Sequence, residues 1–155
     1  MDEEVLEEIR YYESERDDAE ETRDRLEREL EDLDRKNKKN EELTKQYNKM
    51  VADLNLVQKQ MNDSEGQRIQ ALSNFNKNFE GNSAKKILDL YNTSFKNMST
   101  INKNLTKCKG EADTKLKKLA AERKVLEKQI TDKQEERRRQ NDYIGYCNRK
   151  LDELY

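Results

Sequence analysis

The sequence predicts an all-α protein, an elongated antiparallel two-helix hairpin or coiled coil with its turn near Gly81-Asn82. Three observations carry that expectation. Of 155 residues, 43% are charged and only 32% hydrophobic, with no Pro at all. The apolar residues recur at alternating steps of three and four, which are heptad steps. A Gly-Asn break near the middle divides two stretches of complementary charge. The apolar fraction falls short of the roughly 45–50% of globular domains, so too few side chains exist to fill a globular core. Ordinary disordered chains, in turn, are rich in the Pro that is missing here.

The first arm is expected over residues 1–80. Its apolar series reads Leu26, Leu30, Leu33, Tyr47, Val51, Leu54, Met61, Leu72, Phe75 and Phe79, with polar Asn37 and Asn40 inserted. Polar seam positions weaken a coiled coil while fixing its register. Asn62-Asp63-Ser64-Glu65-Gly66 reads as a kink or short interruption. The turn is placed at 81–83, within Asn78-Phe79-Glu80-Gly81-Asn82-Ser83, because Gly and Asn tolerate the left-handed backbone that ends a helix. Ser83 could cap the second arm, expected over residues 84–155. That arm carries Ala84, Leu88, Tyr91, Phe95, Met98, Leu105, Cys108, Ala112, Leu116, Leu119, Leu126, Ile130, Ile144, Cys147, Leu151 and Leu154. Lys133, Arg137 and Gln140 are its polar insertions, and Gly110 and Gly145 are read as tolerated inside helix. The whole of 1–155 is thus one helical hairpin.

Charge tests the pairing independently. Residues 1–34 hold 17 acidic and 5 basic side chains, a net of −12, which leaves +10 for the remainder of a chain whose total is −2. Folding about 81–82 pairs residues whose numbers sum to about 163. Acidic Asp17–Asp34 then lies beside Lys128–Tyr146, which holds Arg137, Arg138 and Arg139. A parallel in-register dimer would set the acidic segment against its own copy, and flanking charges of unlike sign set coiled-coil orientation. An antiparallel dimer of straight helices is the competing arrangement.

Several function classes fall to the same composition. With no His, chemistry by a nucleophile and a His base is impossible in cis. No CxxC pair offers zinc ligands, and there is no glycine-rich phosphate loop. Neither catalytic residues nor metal ligands nor a cofactor are expected, so the chain reads as a non-enzyme. Cys108 and Cys147, if on one helix, sit roughly 58 Å apart at ~1.5 Å per residue, too far to bridge, and both are expected in the seam. No apolar run approaches the ~20 residues of a membrane span, and the acidic N-terminus is unlike a signal peptide. The expectation is a cytoplasmic protein with no membrane insertion. Acids interleaved with Arg137–Arg139 argue against nucleic acid.

The densest apolar cluster surrounds the turn, in NFNKNFEGNSAKKILDLYNTSF, which contains all three Phe of the chain. Phe75, Phe79, Gly81, Ala84, Leu88, Tyr91 and Phe95 could plug the hairpin end or anchor a partner. Phe79-Glu80-Gly81-Asn82-Ser83-Ala84 followed by Leu88 resembles the Trp-x-Gly turn of small helical-hairpin proteins exported by type VII secretion systems of Gram-positive bacteria. Gly81, Ala84 and Leu88 fit that pattern, and Phe79 stands where the signature Trp would. The length, charged arms and Lys/Asn-rich composition look more like the accessory helpers of LXG-domain polymorphic toxins. The tail signal usual in the family, Tyr-x-x-x-Asp/Glu after the second helix, is absent; the pattern occurs only at Tyr11–Glu15.

The resemblance implies a non-enzymatic adaptor that binds the helical N-terminal domain of an LXG toxin, together with a second small helical helper, and makes it competent for export. Its contacts would fall on the seven turn residues, and the export complex could carry the chain out of the cell. When alone, the chain could form a homodimer. The alternative is a structural coiled-coil spacer or tether in a larger cytoskeletal or chromosome-organising assembly, which would need no cargo.

Overall fold

The structure, a computed structural model, describes residues 2–78 and 81–155, and its side-chain description excludes residues 75–78, 83 and 84. It is all-α: helix α1 spans Glu3–Asn78 and helix α2 spans Asn82–Leu154, packed antiparallel. Nothing in the composition interrupts them. Pro is absent, and three of the four Gly lie inside helix, each costing about 1 kcal/mol relative to Ala. The short interruption expected at 62–66 does not occur, and α1 runs through Gly66 unbroken. A single helical Gly is too weak a breaker against a seam that keeps its heptad phase on both sides.

That phase is longer and more regular than the apolar residues alone show. From Val5 to Leu72, stepping alternately four and three residues, every position is buried or half-buried; the same holds in α2 from Met98 to Leu154. In heptad letters, Leu72 and Leu88 are a positions, and Arg68 and Tyr91 are d positions. Three interhelical ion pairs obey this frame. Glu27 and Glu41, at e, meet Arg137 and Arg123 at a, while Glu29, at g, meets Lys133 at d. Residue numbers in these pairs sum to 162 or 164, close to the fold-back rule drawn from the sequence.

The chain divides into two compact units. Unit 1 comprises Met1–Glu42 and Ala120–Tyr155. Its core is Ile9, Ala19 and Leu26 of α1 with Ile144, Cys147 and Leu151 of α2; Leu26 and Cys147 are fully buried. Arg16 and Arg23 also occupy seam positions, half-buried, and each turns its guanidinium to the neighbouring Asp17 or Asp24. Tyr143 donates to Glu15 at 2.7 Å and Tyr155 to Glu13 at 3.1 Å. Tyr12, Tyr143 and Tyr146 form a chain of ring contacts with centroids 6.1 Å apart.

Unit 2 comprises Leu43–Leu119. Only Ala112 and Leu119 reach full burial among its described residues, and Val51, Leu54, Met61 and Leu72 are half-buried. Polar groups cross between its helices: Gln58 donates to Asn102 Oδ1 and Thr106 Oγ1, both at 3.0 Å. One seam assignment is corrected here. Lys109, not Cys108, occupies the inward a position, and Cys108 is exposed at g. The heptad step from Leu105 is four residues, and the small apolar side chain lies one position off it.

Candidate partner-docking site

The turn is set by Gly81, whose φ of 108° lies in the left-handed region that favours glycine. Its carbonyl accepts the Lys85 N–H at 3.1 Å, the first bond of α2. Helix α2 therefore starts at Asn82 and includes Ser83, whose side chain, expected to cap it, lies outside the described ones. Of the seven turn residues singled out by sequence, Phe79 lies outside the described residues, as do the side chains of Phe75 and Ala84. Gly81 is exposed, while Leu88 and Tyr91 are half-buried in the seam.

Tyr91 and Phe95 are brought together on unit 2 with Arg68, Ile69, Leu72 and Asn92, around a pocket of about 180 Å³. Phe95 stands at a seam position yet is 42% exposed. Its neighbour Ser94 takes part of the inward space, accepting a 2.6 Å hydrogen bond from Arg68 Nη2. That bond holds the Arg68 head to α2 and leaves its aliphatic stem to line the pocket. Ile69, half-exposed at e, completes the apolar wall. Sequence reasoning missed Arg68 and Ile69. The signal was present, because Ile69 is an apolar residue flanking the d position of an otherwise amide-rich helix edge.

The arrangement offers an open apolar notch with amide and guanidinium rims, suited to receive a side chain of another protein. Among the described residues, no group of three or more His, Cys, Asp or Glu is placed to hold a metal ion. None of their helices is long and apolar enough to cross a membrane. Comparison with protein-family models, curated proteins and solved structures returns no match.

Proposed function

We propose that the chain is a non-enzymatic adaptor that binds a helical domain of a larger protein. The observation that supports it best is the notch at Tyr91 and Phe95. Aromatic side chains half-exposed beside a helical turn act as anchors in helix-to-helix docking. Unit 2 adds to this, since its seam is half-buried along most of its length and would gain burial from an added helix. The resemblance of Phe79-x-Gly81 and its surroundings to the Trp-x-Gly turn supports a narrower reading. The partner would be the helical N-terminal domain of a type VII-secreted LXG toxin, a second small helper would join it, and the complex would form in the cytoplasm before export.

The test is native purification of a tagged chain, with mass-spectrometric identification of stoichiometric partners. Recovery of a large toxin with a helical N-terminal domain is the expected result. Recovery of the chain alone, or of filament or chromosome components, would replace the adaptor with a spacer. Phe95→Ala should reduce cargo recovery without changing the thermal melt, because the ring is already half in solvent. Undiminished recovery would remove the notch from the interface.

A further inference from the structure

Unit 2 has a second exposed surface, on the edge opposite most of the notch. In the heptad frame the g and c positions of α1 and α2 lie along one edge of the antiparallel pair. The contacts confirm the sidedness: d meets g across the helices at Arg68–Ser94 and Lys133–Glu29, and a meets e at Gln58–Thr106 and Arg137–Glu27. Between residues 43 and 74 of α1 and 87 and 108 of α2, this edge comprises seventeen positions, of which only Asp53 is charged. It carries Met50, Val57, Ile87, Leu90 and Ile101, each at least two-fifths exposed, and the exposed Cys108. The intervening positions are mostly Gln, Asn and Ser. The opposite e and b edge over the same spans has Lys45, Lys59, Asp89, Lys96 and Lys103 among fifteen positions.

The corresponding edge of unit 1 has a different chemistry. There an open groove of about 730 Å³ is lined by Arg25, Glu29, Asp32, Lys36, Asp132 and Glu136, among others. Charge is thus kept off the g and c edge of unit 2 up to Cys108, beyond which Glu111, Lys115 and Lys118 occupy it. Solvent contact does not ask for that in a chain so rich in Lys and Glu, whereas burial against apolar surface does.

Unit 2 also carries 14 basic and 7 acidic residues, a net of +7, against 18 basic and 27 acidic in unit 1, a net of −9. A second copy docked here through the same edge would bring +7 against +7. The acidic unit 1 of a second copy has no matching aliphatic stripe, since three of its five exposed large hydrophobic residues are tyrosines and the others, Leu6 and Val125, stand on different helices. We propose that the g and c edge of unit 2 receives a helix of another protein, one with an apolar stripe bordered by Asp and Glu, to form a three-helix coiled coil. The apolar stripe would cover Val57, Ile87, Leu90 and Ile101, and its acidic borders would meet Lys49, Lys86 and Lys107, exposed at the f positions beside the edge. This inference deepens the adaptor reading and rests on it for the identity of the cargo, though not for the surface.

Cys108 is a built-in reporter on that edge, and buried Cys147 is the control for folding. The full chain is mixed with either of two synthetic amphipathic peptides of about four heptads, both with Leu at a and d, one flanked by Glu and the other by Lys. Iodoacetamide alkylation of Cys108 is followed by mass spectrometry. At a peptide concentration about ten times its Kd, the Glu-flanked peptide should slow Cys108 alkylation about tenfold, with the Lys-flanked peptide having no effect. Val57→Asn with Ile101→Asn should weaken that protection at least about tenfold in Kd, while Cys147 stays slow. Equal protection by both peptides, or by neither, overturns the proposal. So does concentration-dependent protection of the chain alone, which would make the occupant a second copy. If native cargo is recovered equally by the double variant, the adaptor reading stands and this surface falls. If the Glu-flanked peptide binds but no cargo exists in the native host, the reverse holds.

Discussion

Gly81 and Leu26 show how differently single residues are held. A Cβ at Gly81 would meet nothing within 4 Å, but the backbone φ of 108° is strained for any L side chain. Gly81→Ala should therefore cost about 1–2 kcal/mol through backbone conformation alone, read as a shift in denaturant midpoint with unchanged slope. A neutral result would mean that the turn relaxes to another conformation. Leu26 is fully buried, so Leu26→Ala should cost about 2–5 kcal/mol. Leu90, 71% exposed, should lose no more than about 0.5 kcal/mol on the same truncation. Asn37 sits at an a position with its buried Oδ1 lacking a partner. Asn37→Leu should stabilise the isolated chain, because it removes an unsatisfied acceptor, at the expense of a register-fixing polar residue.

The two helices are bound to each other by seam burial and by the way seam cations reach flanking acids. Lys133 holds Glu29 at 2.8 Å, and the bond lowers the Glu29 pKa and raises that of Lys133. The lowered carboxylate contributes stability above its unfolded pKa of about 4.3, lost as pH falls through the lower folded value. The raised ammonium contributes below about 10.4, lost as pH rises through the higher folded value. Burial raises the Cys147 thiol above its ordinary value, and the hydrogen bond to Glu15 raises the Tyr143 phenol above its own. Both contributions are complete below the unfolded pKa values, about 8.5 and 10, and fade above them. The melting temperature should therefore hold between about pH 5 and 8 and fall on the alkaline side from about pH 9. Cys147→Ala should delay the alkaline onset, and an unchanged profile would show that the thiol does not report on unfolding. Lys133→Glu should lower the melting temperature, since it sets like charges side by side. The sequence made the pairing legible because charge and apolar phase are one-dimensional records of which faces meet. It concealed the first 25 residues of the seam, where Tyr12, Arg16 and Arg23 occupy inward positions that hydropathy alone assigns to solvent. The tip was half legible: Tyr91 and Phe95 stand out as aromatics, but the Arg68–Ser94 bond that shapes the notch depends on interhelical geometry.

At the scale of the whole chain, burial and charge are unevenly allotted. Six of the eight buried apolar residues among those described belong to unit 1, and eight of the thirteen exposed large hydrophobic ones belong to unit 2. Apolar burial contributes roughly 25 cal/mol per Å², so a unit whose seam stays half in water has less to set against chain entropy. Amide hydrogen exchange of the isolated chain should therefore be slow across 9–37 and 123–151 and markedly faster across 47–72 and 88–109. Local opening free energies follow local burial and not helix content, and among the described residues both units are helical but for Asp2, Gly81 and Tyr155. Partner binding should reverse the contrast, slowing exchange in unit 2 far more than in unit 1. A spacer that needs no cargo predicts instead that unit 2 is protected in the isolated chain, because its function would rest on its own rigidity. Equal protection of the two units without any partner would therefore count against docking on unit 2. Fast exchange there, quenched by cargo or by the Glu-flanked peptide, would tie the thin core to its use as a binding surface.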